Sequence, residues 1–448
     1  MEKRFAYPED LIPRLRKVWR VGRPSKERVL ALPRGRTLRH FLEVAFHASF
    51  HTEEQRMIAF RLALITRAAA RAEAGSASLH QKFDLVEFTI PREFSVGEIL
   101  RLAPATDLTK TIICVEPAPA GGPRERGALE IWGLIHTGPS WWQFTHGELA
   151  IGVPPPNCLA VSSTESGNLT ISREGDVLLS LRRGEVATPS GQVLQQGPIG
   201  AFLEGAIESM YTDVCGELCL SQFGATTEED QQPKRFYLGY IERVLFHIRE
   251  KRHGGTLLIV PDSPGVNDRR FRRRLNVKYP ATYDRTWSLL VSALALHRRY
   301  FDLYLKLWDR KSPIPVKRHY ELFVLQGERE EMDRRIADSV SLVASTSGVD
   351  GAVVITDRLR LLGFGAEVIA AVPDLVEIHG ARDPTARTTT RIPIDTFGTR
   401  HRSAFRFCWS EEDSVAFVVS QDGGVLGVKR TGERLVLWPD VTFHPLGI

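Results

Sequence analysis

Hydrophobic and polar positions along this chain switch between helical and strand-like spacing, and the switches divide the sequence. Residues 36–72 carry apolar side chains at mixed three- and four-residue spacings, which predicts a helical region closing at Gly75. The runs LVEFTI, TIICVE and LEIWGLI predict strands, and SVGEILRLA between the first two predicts a helix. From about 150 to 205, short strand-like runs alternate with turns (CLAVSS, GNLTISREG, VLLSLRRGEV), the pattern of a small antiparallel unit. Pro233 opens a helix on which Tyr237, Ile241, Val244, Leu245 and Ile248 share one face. GGTLLIVPD reads as a buried strand and 283–308 as a long helix. KSPIPV, 311–316, holds two prolines in six residues and predicts a stiff connector.

Beyond the connector the pattern is that of an α/β unit. A helix is expected over 328–345, a strand in DGAVVITD, a polar loop over 380–394 and a helix from 399 to about 410. A strand follows in SVAFVVS, then a hairpin turning at Thr431-Gly432. The predicted class is mixed α/β and multidomain. Its N-terminal α+β region covers 1–310, split into a helical and α/β part (1–148), a β-rich part (149–206) and a helix-and-strand part (207–310). A linker at 311–317 precedes a compact α/β unit over 318–448.

A length of 448 residues suits about three domains. Hydrophobic residues at 43% and charged residues at 25% argue against global disorder. The net charge of +5 fits a phosphate-bearing partner without requiring nucleic acid. Five cysteines do not make a disulfide framework; Cys215 and Cys219, four apart, suit a helix face better than a metal knuckle. MEKRFAYPED has no apolar core of a secretory signal, and no run approaches the ~20 apolar residues of a membrane helix. The expectation is a cytoplasmic protein with no membrane partner.

Chemistry concentrates near residue 400. In DTFGTRHRSAFRFCW, a helix starting at Thr399 would place Arg400, His401 and Arg402 in its first turn, with the Thr399 hydroxyl as cap. Cations are disfavoured there by the helix dipole. An anion at the helix end reverses the argument, because free N–H groups, dipole and guanidinium forks all favour phosphate. Pairing with acids such as Asp395 is the plainer alternative. Asp350-Gly351-Ala352 opens a strand, and its carboxylate suits a divalent metal or deprotonation of a hydroxyl; a turn-capping Asp is the alternative. Gly363-Phe364-Gly365-Ala366-Glu367 reads as a small-residue turn open to a base or ribose, and Ser420-Gln421-Asp422-Gly423-Gly424 as a polar strand end. Arg269–Arg274 packs five arginines around Phe271, a solvated face or a phosphate contact. His136 with Trp132, Trp141 and Trp142 suits core packing or an aromatic pocket.

Taken together and in order, DGA, the Gly-Ala segment, GTRHRSA and a strand ending in Val-Ser-Gln resemble the nucleotidyltransferase domain of diadenylate cyclases over roughly residues 320–435. More loosely, LEIWGLIHTGPSWW and the β-rich stretch after it are similar to the DACNV-type sensor domain found ahead of such cyclase domains in many bacteria. The resemblance implies a central mixed sheet flanked by helices. It implies that ATP is the substrate, cyclic di-AMP the product and Mg²⁺ or Mn²⁺ the cofactor, in a face-to-face homodimer or higher homo-oligomer under control of an unknown sensor ligand. By motif match, Asp350 would bind metal and favour hydroxyl activation, Arg400 and Arg402 would hold phosphates, and His401 would assist the metal or a phosphate. Gly351, Ala352, Gly365, Ala366, Gly398, Thr399, Ser403, Ser420 and Gln421 would line the nucleotide site. Many relatives carry Ser-Glu-Glu where this chain has Ser420-Gln421-Asp422, which removes one possible metal ligand. Two other readings stay open: a nucleotide-binding receptor without turnover, and a basic nucleic-acid-binding regulator using 267–280.

Overall fold

The computed structural model describes residues 5–19, 32–33, 35–53, 56–75, 83–108, 110–119, 128–137, 156–174, 176–182, 184–187, 193–221, 223, 231–262, 269–308, 315–370, 377–421, 424–439 and 441. The chain divides into two units, one built from 1–146 and 151–189 with 443–448, the other from 190–442 with 147–150.

The first unit holds helices α1 (Pro8–Val18), α2 (Gly35–Ala48), α3 (Arg67–Ala74) and α4 (Val96–Leu102). Its strands are β1 (Phe60–Leu64), β2 (Asp84–Glu93), β3 (Thr111–Pro117), β4 (Leu129–His136), β5 (Leu159–Ser163), β6 (Leu169–Arg173), β7 (Asp176–Arg182) and β8 (Glu185–Ala187). They form one sheet in the order β8-β7-β6-β5-β1-β3-β4-β2, with β1 and β3 parallel and the other neighbours antiparallel. Alternation along the central strands explains the two-sided core. Leu62, Ile113 and Val115 pack with Leu11, Leu38 and Phe41, whereas Ala63, Ile112 and Cys114 pack with Ala70 and Trp132.

Two expectations are corrected here. Residues 36–72 are not one helical region: α2 ends at Ala48, β1 follows, and α3 begins at Arg67. The run FRLAL is buried on both faces, so it shows no alternation that would set a strand apart from a helix. The β-rich part over 149–206 is not a separate unit, because β5 pairs directly with β1.

The second unit contains helices α5 (Gly197–Leu218), α6 (Gln232–Glu250), α7 (Arg285–Trp308), α8 (Val316–Ser345) and α9 (Thr399–Ser410). Its strands are β9 (Gly255–Val260), β10 (Leu275–Tyr283), β11 (Ala352–Thr356), β12 (Leu361–Val368), β13 (Glu377–Ala381), β14 (Thr389–Pro393), β15 (Val415–Val419), β16 (Val425–Thr431) and β17 (Arg434–Trp438). The sheet order is β10-β12-β11-β9-β15-β16-β17-β13-β14. β9 runs parallel to β11, and β13 to β17; the remaining pairs are antiparallel. β9, β11 and β15 are buried throughout, as expected for strands covered on both faces. One face packs Leu258, Val260, Val354, Ala416 and Val418 against Ala404, Phe405, Phe407 and Cys408 of α9. Burial pushes the Cys408 thiol up to about 12. Among the described residues, no helix is long and apolar enough to cross a membrane.

The segment 311–317 does not divide two folding units. β9 precedes it in sequence yet lies between β11 and β15 in the sheet. Pro315 is the N-cap of α8, so the proline there starts a 30-residue helix, earlier than the expected start at 328. The polar segment 380–394 is not a loop but carries the β13–β14 hairpin. In its turn, the Asp383 carboxylate accepts the amides of Thr385, Arg387 and Thr388. Gly363–Glu367 is likewise no turn; it is the interior of β12.

Candidate nucleotide cleft

A cleft of about 430 Å³ opens where the starts of β9 and β11 meet β12, the edge strand β10 and the first turns of α9. That volume lies in the range of small-molecule sites. Its lining includes Asp350, Gly351, Ala352, Gly365 and Ala366, together with Thr399, Arg400, Ser403 and Ala404. Three stretches scattered over some fifty-five residues of sequence therefore share one wall or another of this space.

Backbone pairing makes that assembly. Ala352 stands opposite Ala366 in the β11–β12 pair. Gly351 has φ +121°, and a β-carbon there would lie 2.5 Å from the Gly365 carbonyl carbon and 2.8 Å from the Ala366 nitrogen. Gly365 has φ +63°, with Val349, Tyr279 and the Asp350 carbonyl closing round it. Only glycine permits this contact in that conformation. The result is a floor of bare backbone, with the Asp350 carboxylate at its edge.

α9 supplies the opposite wall, and its 3.6-residue period sorts the three cations. Thr399, Arg400, Ser403 and Ala404 line the cleft, one strip of the helix surface. Arg402 is exposed and outside the lining, and His401 lies against Phe397 and Phe405, with ring centroids 5.7 Å and 6.5 Å away. Arg400 and Arg402, expected to hold phosphates, and His401, expected to assist the metal or a phosphate, therefore diverge, and of the three Arg400 lines this cleft: consecutive residues on a helix point about 100° apart. The expected cap is corrected as well. Gly398, not Thr399, is the N-cap, and among the described residues no side chain caps the first amides of α9. Those N–H groups remain available to a ligand.

Arg400 leans toward the end of β15. At Gly254, φ +68°, a β-carbon would stand 2.6 Å from Arg400 Nη1, 2.7 Å from the Val419 oxygen and 3.3 Å from the Gln421 nitrogen. The absent side chain of Gly254 thus lets Arg400 and the Gln421 backbone approach one point. Ser420 is half-buried, its amide bound to the Gly424 carbonyl at 2.8 Å; Asp422 and Gly423 lie outside the described residues.

Thr256, Lys278, Glu367 and Val368 also line the cleft. Sequence reasoning gave Thr256 and Val368 no role, and took Glu367 and Lys278 only as parts of the 363–367 segment and the basic 267–280 stretch. Lys278 sits on β10, a strand left unpredicted because Pro280 interrupts it; an edge strand tolerates that proline. Among the described residues, the side chains of Asp350, Glu367, Lys278 and Arg400 make no hydrogen bond or ion pair. Elsewhere in the unit, charges are engaged: Arg360 pairs with Asp262 at 2.7 Å, and Arg430 donates to the Trp409 carbonyl at 2.9 Å. Charged groups that converge on a cleft while lacking protein partners are suited to a polar ligand.

The other candidates have structural roles. Phe271 is buried, and Arg274 pairs with Glu411, so part of the arginine-rich run serves the core. Trp132 is fully buried and donates its indole N–H to the Ile65 carbonyl at 2.9 Å; Trp141 and Trp142 lie outside the described residues. His136 approaches the Thr111 hydroxyl at 3.3 Å. Cys215 is buried in α5 and Cys219 is exposed at its C-cap, neither in a disulfide.

Residues 27–136, inside the first unit, match the model of a family described as a probable sensor domain, DACNV. No curated protein matches the chain.

Proposed function

We propose that the second unit is a diadenylate cyclase, joining two ATP molecules into cyclic di-AMP and releasing two pyrophosphates, under control of the sensor-like first unit. The observation that carries this reading is the convergence of the Asp350-Gly351-Ala352 turn and the Thr399-Arg400 end of α9 on one cleft, through strand pairing that the sequence motifs do not themselves display.

The uncapped first amides of α9 and the Arg400 guanidinium favour a bound triphosphate. The bare backbone at Gly351 and Gly365 lets the nucleotide lie close to the sheet. Asp350 lines the cleft, and its carboxylate would take a proton from a ribose 3′-hydroxyl. The 3′-oxygen forms a bond to the α-phosphorus of the second ATP, and the bond from that phosphorus to the β-phosphate oxygen breaks. The electron pair leaves with pyrophosphate. The same exchange in the other direction closes the ring. Two clefts from two copies must face each other, because each site holds one triphosphate. Positioning and charge neutralisation do most of the work in such a transfer.

A divalent ion fits the residues present. Among the described residues no cluster of three His, Cys, Asp or Glu side chains could cage a metal. One carboxylate without a protein partner, beside a phosphate site, is the donor set Mg²⁺ or Mn²⁺ uses when substrate phosphates complete its shell. Asp350 would hold it; the aromatic packing of His401 gives that ring another role. When bound, the ion neutralises charge building on the phosphates.

Incubation of the full chain with ATP and Mn²⁺ or Mg²⁺, followed by mass spectrometry, tests the proposal. Cyclic di-AMP is the expected product. ATP binding by folded protein with no product would establish a receptor instead, the reading that Gln421 in place of an acid supports.

A further inference from the structure

We propose that the first turns of α8 are a self-association surface, against which a second copy of this chain packs its own α8 antiparallel. α8 presents two faces, and the fold of its unit covers one. Arg329, Ile336, Val340 and Val343 are buried, and Leu322 and Leu325 on the same side are half-buried. Val316, Tyr320, Phe323 and Gly327 recur at four and three residues, which keeps them in one strip about 150° from that side. Val316 is 85% exposed, Tyr320 68% and Phe323 74%, and Val324 at the edge of the strip is exposed as well. Isolated exposed apolar side chains are ordinary. A run of them along successive turns of one helix side is a contact surface. Residues 315–321 are exposed without exception, and helical turns owe most of their stability to packing. A second helix laid on the strip supplies that packing.

Charge selects the occupant and its direction. Lys317, Arg318 and His319 occupy the first turn of α8, and Glu328, Glu330 and Glu331 lie about three turns further on. A parallel copy sets cations against cations. An antiparallel copy sets the basic end of each helix against the acidic stretch of the other. The flanks agree: Lys317 and Glu331 border the strip on one side, His319 and Glu330 on the other. Glu331 meets Arg334 at 3.2 Å and Arg335 at 3.4 Å within its own helix, exposed pairs of small worth. With a two-fold axis level with residue 325, each Phe323 ring comes over the Gly327 of the other copy. A β-carbon at Gly327 would meet nothing within 4 Å, so the space above that backbone is open. A partner of single charge sign answers only one end of this pattern; the chain's own helix answers both. No residue of α8 lines the cleft, so this contact is separate from the meeting of two clefts and does not rest on the cyclase reading.

Sedimentation equilibrium of the full chain, without nucleotide or metal, tests this. Wild-type protein should be dimeric, and Phe323→Glu should weaken the dimer by about thirtyfold or more. Phe323 is mostly exposed, so the variant should keep the wild-type circular dichroism spectrum. Lys317→Glu and Glu331→Lys should each weaken the dimer by about threefold or more, and the two together should restore most of the loss. A wild-type chain that stays monomeric at about 100 µM overturns the proposal, whether the strip is bare or covered by another part of the same chain. So does a dimer indifferent to Phe323→Glu, which would place the contact elsewhere. A double charge reversal no better than the single ones overturns the antiparallel arrangement. Cyclic di-AMP formation has its own assay, so failure here leaves the cyclase reading untouched.

Discussion

Gly351 packs directly on Gly365: a β-carbon on the first would lie 2.7 Å from the α-carbon of the second. Two short motifs are thereby locked into a common floor, and the contact sets the depth of the cleft. Gly351→Ala should destabilise the second unit by about 1–3 kcal/mol, since a side chain is forced into φ +121° against backbone. It should also push β11 from β12 and weaken ATP binding. A thermal melt paired with an ATP titration checks both, and a variant that melts and binds like wild type contradicts the contact.

Asp350 and Arg400 occupy the same cleft but do different work. Asp350→Asn should remove cyclisation by about a hundredfold or more while ATP still binds, because the general-base contribution is lost and the shape is kept. Arg400→Ala should weaken ATP by about tenfold, the loss of one charge-assisted contact. Arg402→Ala should have less effect on ATP affinity of an isolated subunit, because that side chain lies outside the cleft lining. Equal losses for Arg400→Ala and Arg402→Ala, measured on dilute monomer by calorimetry, would contradict the helix-face assignment.

His401 offers a prediction of another kind. Its ring lies against both Phe397 and Phe405, which themselves meet edge to face at 5.2 Å. His401→Ala should lower the melting temperature of the second unit by a few degrees, and the Mn²⁺ concentration for half-maximal ATP-dependent signal should stay unchanged. A weakened metal response with normal stability would return His401 to the metal site.

How much of this was legible beforehand follows from where each signal lives. α6, α7 and α9 are amphipathic or well bounded, and the apolar runs of β9, β11 and β15 announce buried strands, so these elements are readable from spacing alone. The membership of β9 and β10 in the C-terminal sheet is not, because it depends on pairings across some hundred residues that no local pattern records. β10 also carries Lys278 and Pro280, and β14 is Thr-rich; edge strands need little apolar content, so they read as loops. In the site, Asp350 and Arg400 were legible as motif residues. Lys278 and Thr256 were not, since their place in the cleft is a consequence of sheet order, and Glu367 was read only as the end of a small-residue turn. The divergence of Arg402 and His401 from the cleft lining was not legible either, because neighbours in sequence point apart on a helix.

The arginine-rich stretch predicts a stability effect in place of a nucleic-acid one. Glu411 is buried at the C-terminus of α9, and Arg274 is its ion-pair partner. Arg274→Ala takes this ion-pair partner from a buried carboxylate and should cost about 3 kcal/mol, visible as an earlier urea midpoint. Arg273→Ala, at an exposed position, should fall within about 0.5 kcal/mol of wild type. Salt-sensitive binding to DNA or RNA that disappears on neutralising Arg272 and Arg273 would instead support the regulator reading.

Glu242 on α6 ties stability to pH. Burial raises its carboxyl from 4.5 to about 7, with Arg243 partly opposing the rise. Below pH 4.5 the group is protonated in folded and unfolded chain alike. As pH climbs toward 7 the unfolded chain releases the proton first, so the folded state loses stability across that interval, and the loss is complete above the raised value. The penalty at pH 8 is about 1–3 kcal/mol. Glu242→Gln keeps a neutral side chain of the same shape and should be more stable than wild type at pH 8 while matching it near pH 4. Urea melts of both proteins at the two pH values provide the check. A difference that does not change with pH would show that Glu242 is already hydrated and ordinary in its titration.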